Sequence, residues 1–168
     1  ESLGMIVYIG FAQRHERPDW AAAYARHAAR FEDASGDRCI IVPYDMVDRR
    51  LIEALAPSAV VMSGFASSFE TYPPGAFMPV ADWLLNGAPV PTLAVCGSNQ
   101  LIGFIFGGGY REDTILRDEP MRPRRLGEPV TNPDYHPEYF MENGFYELRV
   151  LVQEPIFQHC GQPPMVRE

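Results

Sequence analysis

The sequence contains no lysine; all 14 of its basic residues are arginine. That removes a Schiff-base lysine and a phosphate-loop lysine from the mechanisms open to it. Positive charge is scarce as well. The net charge is -8, so no basic field exists to hold nucleic acid or an anionic membrane surface. No apolar run approaches the roughly 20 residues that a membrane-spanning helix needs. The N-terminus carries no basic-then-apolar secretory pattern, and a cytoplasmic location is expected. Cysteine is sparse, with three residues at 39, 96 and 160. That is neither a disulfide framework nor a zinc pattern, and reduced thiols are the plain reading. The four histidines, at 15, 27, 136 and 159, include no pair at helical ligand spacing. No metal site and no cofactor are expected.

What the chain does have is an alternation of short apolar runs and helical patterns. Met5 to Phe11, Cys39 to Val42, Ala59 to Met62 and Thr92 to Val95 each suit a buried strand. Between them, Trp20 to Phe31 is Ala-rich and helix-favouring, with Asp19 as its expected N-cap and with Tyr24, Ala28 and Phe31 at core spacing. Leu51 to Leu55, Pro79 to Leu85 and Asn99 to Phe106 complete the helical set. This order predicts an α/β fold, an open and mostly parallel sheet with helices on both faces. Ligands in such sheets bind beyond the carboxyl ends of the strands, where Ser63-Gly64 and Cys96-Gly97 lie. Residues 110–142 break the pattern with repeated prolines and with Arg117, Arg122, Arg124 and Arg125. Phe145 to Val152 reads as a strand, and a polar tail closes the chain. One domain over 5–168, with an irregular insertion at about 110–142, is the expected organisation.

Cys96 is the residue that carries chemistry. A strand running straight into a helix forces the residue at the turn into a strained conformation, and its neighbours at two positions either side must be small. Ala94 and Ser98 are small, and Gly97 relaxes the turn. This is the cysteine counterpart of the serine nucleophile elbow. A helix N-terminus favours a thiolate. The N–H of Gly97 points where an oxyanion would form, and Gly64, at the end of the neighbouring strand, is the expected second donor. Cys39, inside an apolar run, reads as a buried small hydrophobe. Cys160, His15 and His27 read as surface residues.

The stretch Ala94-Val95-Cys96-Gly97-Ser98-Asn99-Gln100 resembles the class I glutamine amidotransferase signature Gly-Ile-Cys-x-Gly-His-Gln. Gly107-Gly108 matches the glycine pair after the elbow helix. Val60-Val61-Met62-Ser63-Gly64 is similar to the family's strand ending in Ser-Gly-Gly. Glu142-Asn143-Gly144 and Glu154-Pro155-Ile156-Phe157 look like its later Glu-x-Gly and Asp-Pro-Leu-Phe segments. The resemblance implies a flavodoxin-like three-layer sandwich. It also implies a Cys96 thiolate that attacks the side-chain amide of L-glutamine, passes through a thioester and releases glutamate and ammonia. Gln100 and Ser63 would bind the substrate. The ammonia would go to a synthetase or acceptor domain or subunit, and the reading also admits a homo-oligomer.

Three departures accompany the match. Phe65 stands where the family has its second strand-end glycine, and Ser98-Asn99 replaces Gly-His. The family's catalytic His-Pro-Glu lies beyond the Asp-Pro-Leu-Phe segment, so the resemblance implies a C-terminally incomplete domain. His136-Pro137-Glu138 spells the tripeptide ahead of that segment, which makes His136 the candidate base. The alternatives are an amidotransferase-like binding or regulatory domain that lost its base, and a cysteine-elbow hydrolase of the γ-glutamyl hydrolase type. The arginine-rich loop would recognise an anionic acceptor or dock a partner.

Overall fold

A computed structural model describes residues 4–117, 122–130 and 137–140, with the backbone of 145–147 and 165–167. The chain divides into two compact units, residues 1–118 and 119–168.

In the first unit the apolar runs become strands β1 (Met5–Gly10), β2 (Arg38–Pro43), β3 (Ala59–Met62) and β4 (Thr92–Ala94). All pair in parallel, in the order β2-β1-β3-β4. The register sets Ile6 beside Cys39 and Ala59, and Val61 beside Leu93. Helices α1 (Arg17–Ser35), α2 (Arg49–Leu55) and α3 (Met78–Asn86) make the connections, and α4 (Gly97–Phe106) follows β4. The architecture is α/β with a parallel sheet flanked by helices, consistent with the flavodoxin-like arrangement.

Side chains alternate across the sheet with the period of two that a strand imposes. Val7, Ile9, Val60 and Met62 point into a core shared with Ile52 of α2, Val80 and Trp83 of α3, and Leu101 and Ile105 of α4. Ile6, Tyr8 and Val61 point the other way, onto Tyr24 of α1. Phe31 packs half-buried against that second cluster. Helices therefore cover both faces, as right-handed crossovers require for this strand order. The chain leaves β1 in one direction to β2 and returns to β3 on the other side, so the switch point lies between the ends of β1 and β3.

Several boundaries differ from the sequence reading. Helix α1 begins at Arg17, with Glu16 rather than Asp19 as N-cap, because Pro18 suits the first turn, where a missing N–H costs nothing. Helix α4 begins at Gly97, immediately after Cys96, two residues ahead of expectation. Asp48 caps α2 through its side chain, which accepts the Leu51 N–H at 2.7 Å.

In the second unit β5 (Phe145–Glu147) pairs antiparallel with β6 (Met165–Arg167), within what the sequence read as a polar tail. The remainder of the strand expected over 145–152 lies outside the described residues. Arg122 and Arg124 of the irregular segment are occupied locally. Arg122 forks onto Glu128 at 2.9 and 2.8 Å, and its guanidinium lies 4.0 Å from the ring centre of Phe140. Arg124 donates to the carbonyls of Glu128 and Pro137. The Arg122 guanidinium and the Arg125 N–H hold the Glu128 carboxyl down at about 2.

Candidate functional site

Strand β4 ends at Ala94, and α4 starts at Gly97. The turn between them is made by Cys96, with φ 55° and ψ −123°. Only two non-glycine residues described adopt a positive φ, Cys96 and Ala56. Such a backbone is costly for a residue with a Cβ and persists only where its surroundings over-determine it.

The surroundings do so through Ser98, which is fully buried. Its Oγ accepts the Val95 N–H at 2.8 Å and faces the carbonyl oxygens of Met62 and Val95, each at 2.9 Å. The Ser98 N–H returns to the Val95 carbonyl at 3.2 Å. Cys96 and Gly97 are thus enclosed in a short ring pinned to the end of β3. The Cys96 carbonyl accepts the N–H groups of Asn99 and Gln100 and starts the helix. The cysteine itself is exposed, as a nucleophile must be. Gln100 is exposed on the same helix face, four residues on.

The end of β3 closes against this turn. A Cβ placed on Gly64 would stand 3.4 Å from the Cβ of Cys96 and 3.8 Å from its Sγ. A Cβ on Gly97 would stand 2.7 Å from the Phe65 ring, so the elbow requires glycine at 97 while Phe65 is present. Phe65 stacks on Phe11 at 4.7 Å between ring centres and tilts against Phe69 at 4.6 Å. Among the described residues the N–H groups of Gly64 and Gly97 donate to nothing.

Ser63 is 4% exposed. Its hydroxyl accepts the Phe11 N–H at 3.0 Å and donates to the Gly64 carbonyl at 2.8 Å. The loops leaving β1 and β3 are joined further by the Tyr72 hydroxyl on the Phe11 carbonyl, the Ser67 hydroxyl on Glu16, and Gln13 on Thr71 at 2.8 Å. The switch point between β1 and β3 is therefore cross-linked on the β3 side of the elbow strand.

A cavity of about 260 Å³ opens on the α1 face beside the elbow, with Tyr8, His27, Arg30, Ser63, Gly64 and Val95 among its walls. The Tyr8 hydroxyl lies 2.8 Å from His27 Nδ1. His27, read from sequence as a surface residue, is half-buried by this contact; its partner is 19 residues away, beyond the reach of local pattern. Burial pushes the Tyr8 hydroxyl up to about 12, with Tyr24 acting in the same sense and Ser63 opposing it. Burial, reinforced by Glu32, raises the Cys39 thiol.

The structure thus brings Ser63, Gly64, Cys96 and Gly97 together at adjacent strand ends, with Gln100 on the following turn. His136, His159 and Cys160 lie outside the described residues. Among those described, no group of three or more His, Cys, Asp or Glu side chains is placed to hold a metal ion. No helix among them is long and apolar enough to cross a membrane. Phe65 as a wall of the elbow and the Ser98 hydroxyl as its pin emerge only in the fold. Their departures from the glycines of the motif were the available signal.

No protein-family model and no solved structure matches the chain. Over 113 residues it is 30% identical to the GMP synthase (glutamine-hydrolyzing) of Phenylobacterium zucineum (strain HLK1). The match covers 61% of this chain and 21% of that enzyme, so the chain spans about a fifth of the length of the curated relative it matches. In coarse terms, the likeness supports a glutamine amidotransferase-like domain.

Proposed function

We propose that this domain hydrolyses the side-chain amide of glutamine with Cys96 as nucleophile. The observation that carries the reading is the exposed Cys96 at φ 55° on the first residue boundary of α4, against Gly64. Similarity to a glutamine-hydrolysing enzyme supports it.

The Cys96 thiolate adds to the amide carbon, and the carbonyl oxygen becomes an oxyanion facing the N–H groups of Gly64 and Gly97. Two preorganised donors of this kind commonly supply several kcal/mol of transition-state stabilisation, about 3–4 for one donor alone. Collapse breaks the carbon–nitrogen bond. The leaving nitrogen takes the proton held by the general base and departs as ammonia, leaving a γ-glutamyl thioester on Cys96. Water, deprotonated by the same base, then releases glutamate and restores the thiolate. His136 is the base candidate. Gln100 contributes to holding the glutamine, and an acceptor domain or subunit consumes the ammonia.

A glutamine-shaped chloroketone tests this reading. The expected result is one adduct, at Cys96, suppressed by excess L-glutamine and absent in Cys96→Ser. A folded protein that gains no adduct would instead be a binding domain that has kept the fold.

A further inference from the structure

The two buried serines of the core both flank the elbow. Ser63 is 4% and Ser98 0% exposed, and, the tyrosines apart, no other polar or charged residue described is buried. Burying a hydroxyl costs free energy unless it is fully bonded, so two of them beside one cysteine call for a reason.

Each hydroxyl holds one peptide next to Cys96. Gly64 has no Cβ and is the freest residue at the end of β3. The Ser63 hydroxyl, itself anchored by the Phe11 N–H, binds the Gly64 carbonyl and so fixes the rotation of the planar peptides on either side of Gly64. Ser98 does the same for the far side. By bonding the Val95 N–H and facing the Met62 carbonyl, it closes a ring around Cys96 and Gly97 and ties that ring to β3. The partners of the two hydroxyls are the ends of β1, β3 and β4, so both donor peptides are referenced to the sheet.

We propose that Ser63 and Ser98 are positioning residues, whose hydroxyls aim the Gly64 and Gly97 N–H groups at the atom that Cys96 attacks. This rests on the cysteine-nucleophile reading above and gives Ser63 a role other than ligand contact. Ser98 stands where the resembling motif has glycine, so this chain holds its elbow with a hydroxyl that the motif does not provide.

Two kinds of electrophile separate aim from mere integrity. An activated ester, p-nitrophenyl acetate, acylates the thiolate through a tetrahedral oxyanion and expels p-nitrophenolate, whereas iodoacetamide alkylates it by displacing iodide at a saturated carbon and forms no oxyanion. The ratio of their rates at Cys96, read by peptide mass spectrometry, is the measurement. In Ser63→Ala and Ser98→Ala the ratio is expected to fall about tenfold, less than the roughly 10²–10³ that outright loss of a donor costs. The iodoacetamide rate should stay within about twofold, the span a purely local change in thiol access would produce. Ser63→Thr, which keeps the hydroxyl, should restore the ratio. An unchanged ratio in folded Ala variants overturns the proposal. So does a parallel fall in both rates, or loss of fold in both Ser63→Ala and Ser63→Thr, since either makes the hydroxyls purely structural. The glutamine reading is judged separately, in the wild type, by whether the glutamine-shaped chloroketone outpaces chloroacetone.

Discussion

Replacing Cys96 by glycine should stabilise this protein while destroying its proposed chemistry. Cys96 holds φ 55° and ψ −123°, a conformation that costs a residue with a Cβ about 1–3 kcal/mol. Glycine adopts it freely but gains about 0.5–1 kcal/mol of extra chain entropy in the unfolded state. The cysteine is exposed, so little burial is lost. The balance is a gain of about 0–2.5 kcal/mol, centred near 1, which at that centre is roughly 2–4 °C in melting temperature for a chain of this size. The informative comparison is with Cys96→Ala, which removes the thiol and keeps the Cβ, and with it the strain. Urea unfolding should give a midpoint order of Gly above Ala, with equal slopes showing that the unfolded states match. Ala56→Gly, at the other positive-φ position, is the control: it should stabilise by a similar mechanism and leave Cys96 labelling untouched. If Cys96→Gly melts at or below Cys96→Ala, the elbow stores no strain and the reasoning fails.

Gly97→Ala should cost about 1–3 kcal/mol by driving a methyl into the Phe65 ring, and most of that cost should vanish in a Phe65→Ala background. Additive effects in that double-mutant cycle would refute the contact. Tyr8 gives a pH dependence. Its folded state keeps the phenol proton to about pH 12, while the unfolded chain releases it near 10. The stability it contributes is whole below pH 10 and drains as pH rises through 12, by on the order of 2 kcal/mol. With no lysine to titrate in this range, the urea midpoint difference between wild type and Tyr8→Phe, followed from pH 9 to 12, should narrow or reverse; a constant difference sinks the assignment. Arg122→Ala should raise the Glu128 carboxyl from about 2 towards its ordinary value, visible in a carboxyl NMR titration, and no movement would contradict the fork.

Much of the fold was legible because its determinants are local. Four apolar runs became four parallel strands, and the small residues around Cys96 announced the turn before any coordinate did. The hydroxyl pins were not legible, because their partners are distant: Ser98 bonds to Met62 from 36 residues away and Ser63 to Phe11 from 52. A serine two places after a cysteine reads as merely small. His27 was read as solvent-facing because a half-polar helix face gives no sign that Tyr8 waits beneath it. Strand β6 escaped notice because three residues carry no periodicity, and its pairing with β5 is set by contact across the chain. At the site itself, Ser63, Gly64, Cys96 and Gly97 were foreseen as neighbours from the strand-end rule alone, while Phe65 was seen only as a departure from a motif.

The contact between Phe65 and Gly97 also bears on history. With an aromatic at 65, any side chain at position 97 carries a steric penalty, whatever advantage it might bring to the chemistry. The reverse order is open: shrinking position 65 first would free position 97 to vary. The two sites are therefore epistatic, and the order of substitution matters more than the pair of residues reached. The aromatic cluster around Phe11, Phe65 and Phe69 in this sense couples the choice of residue at 97 to the ring at 65.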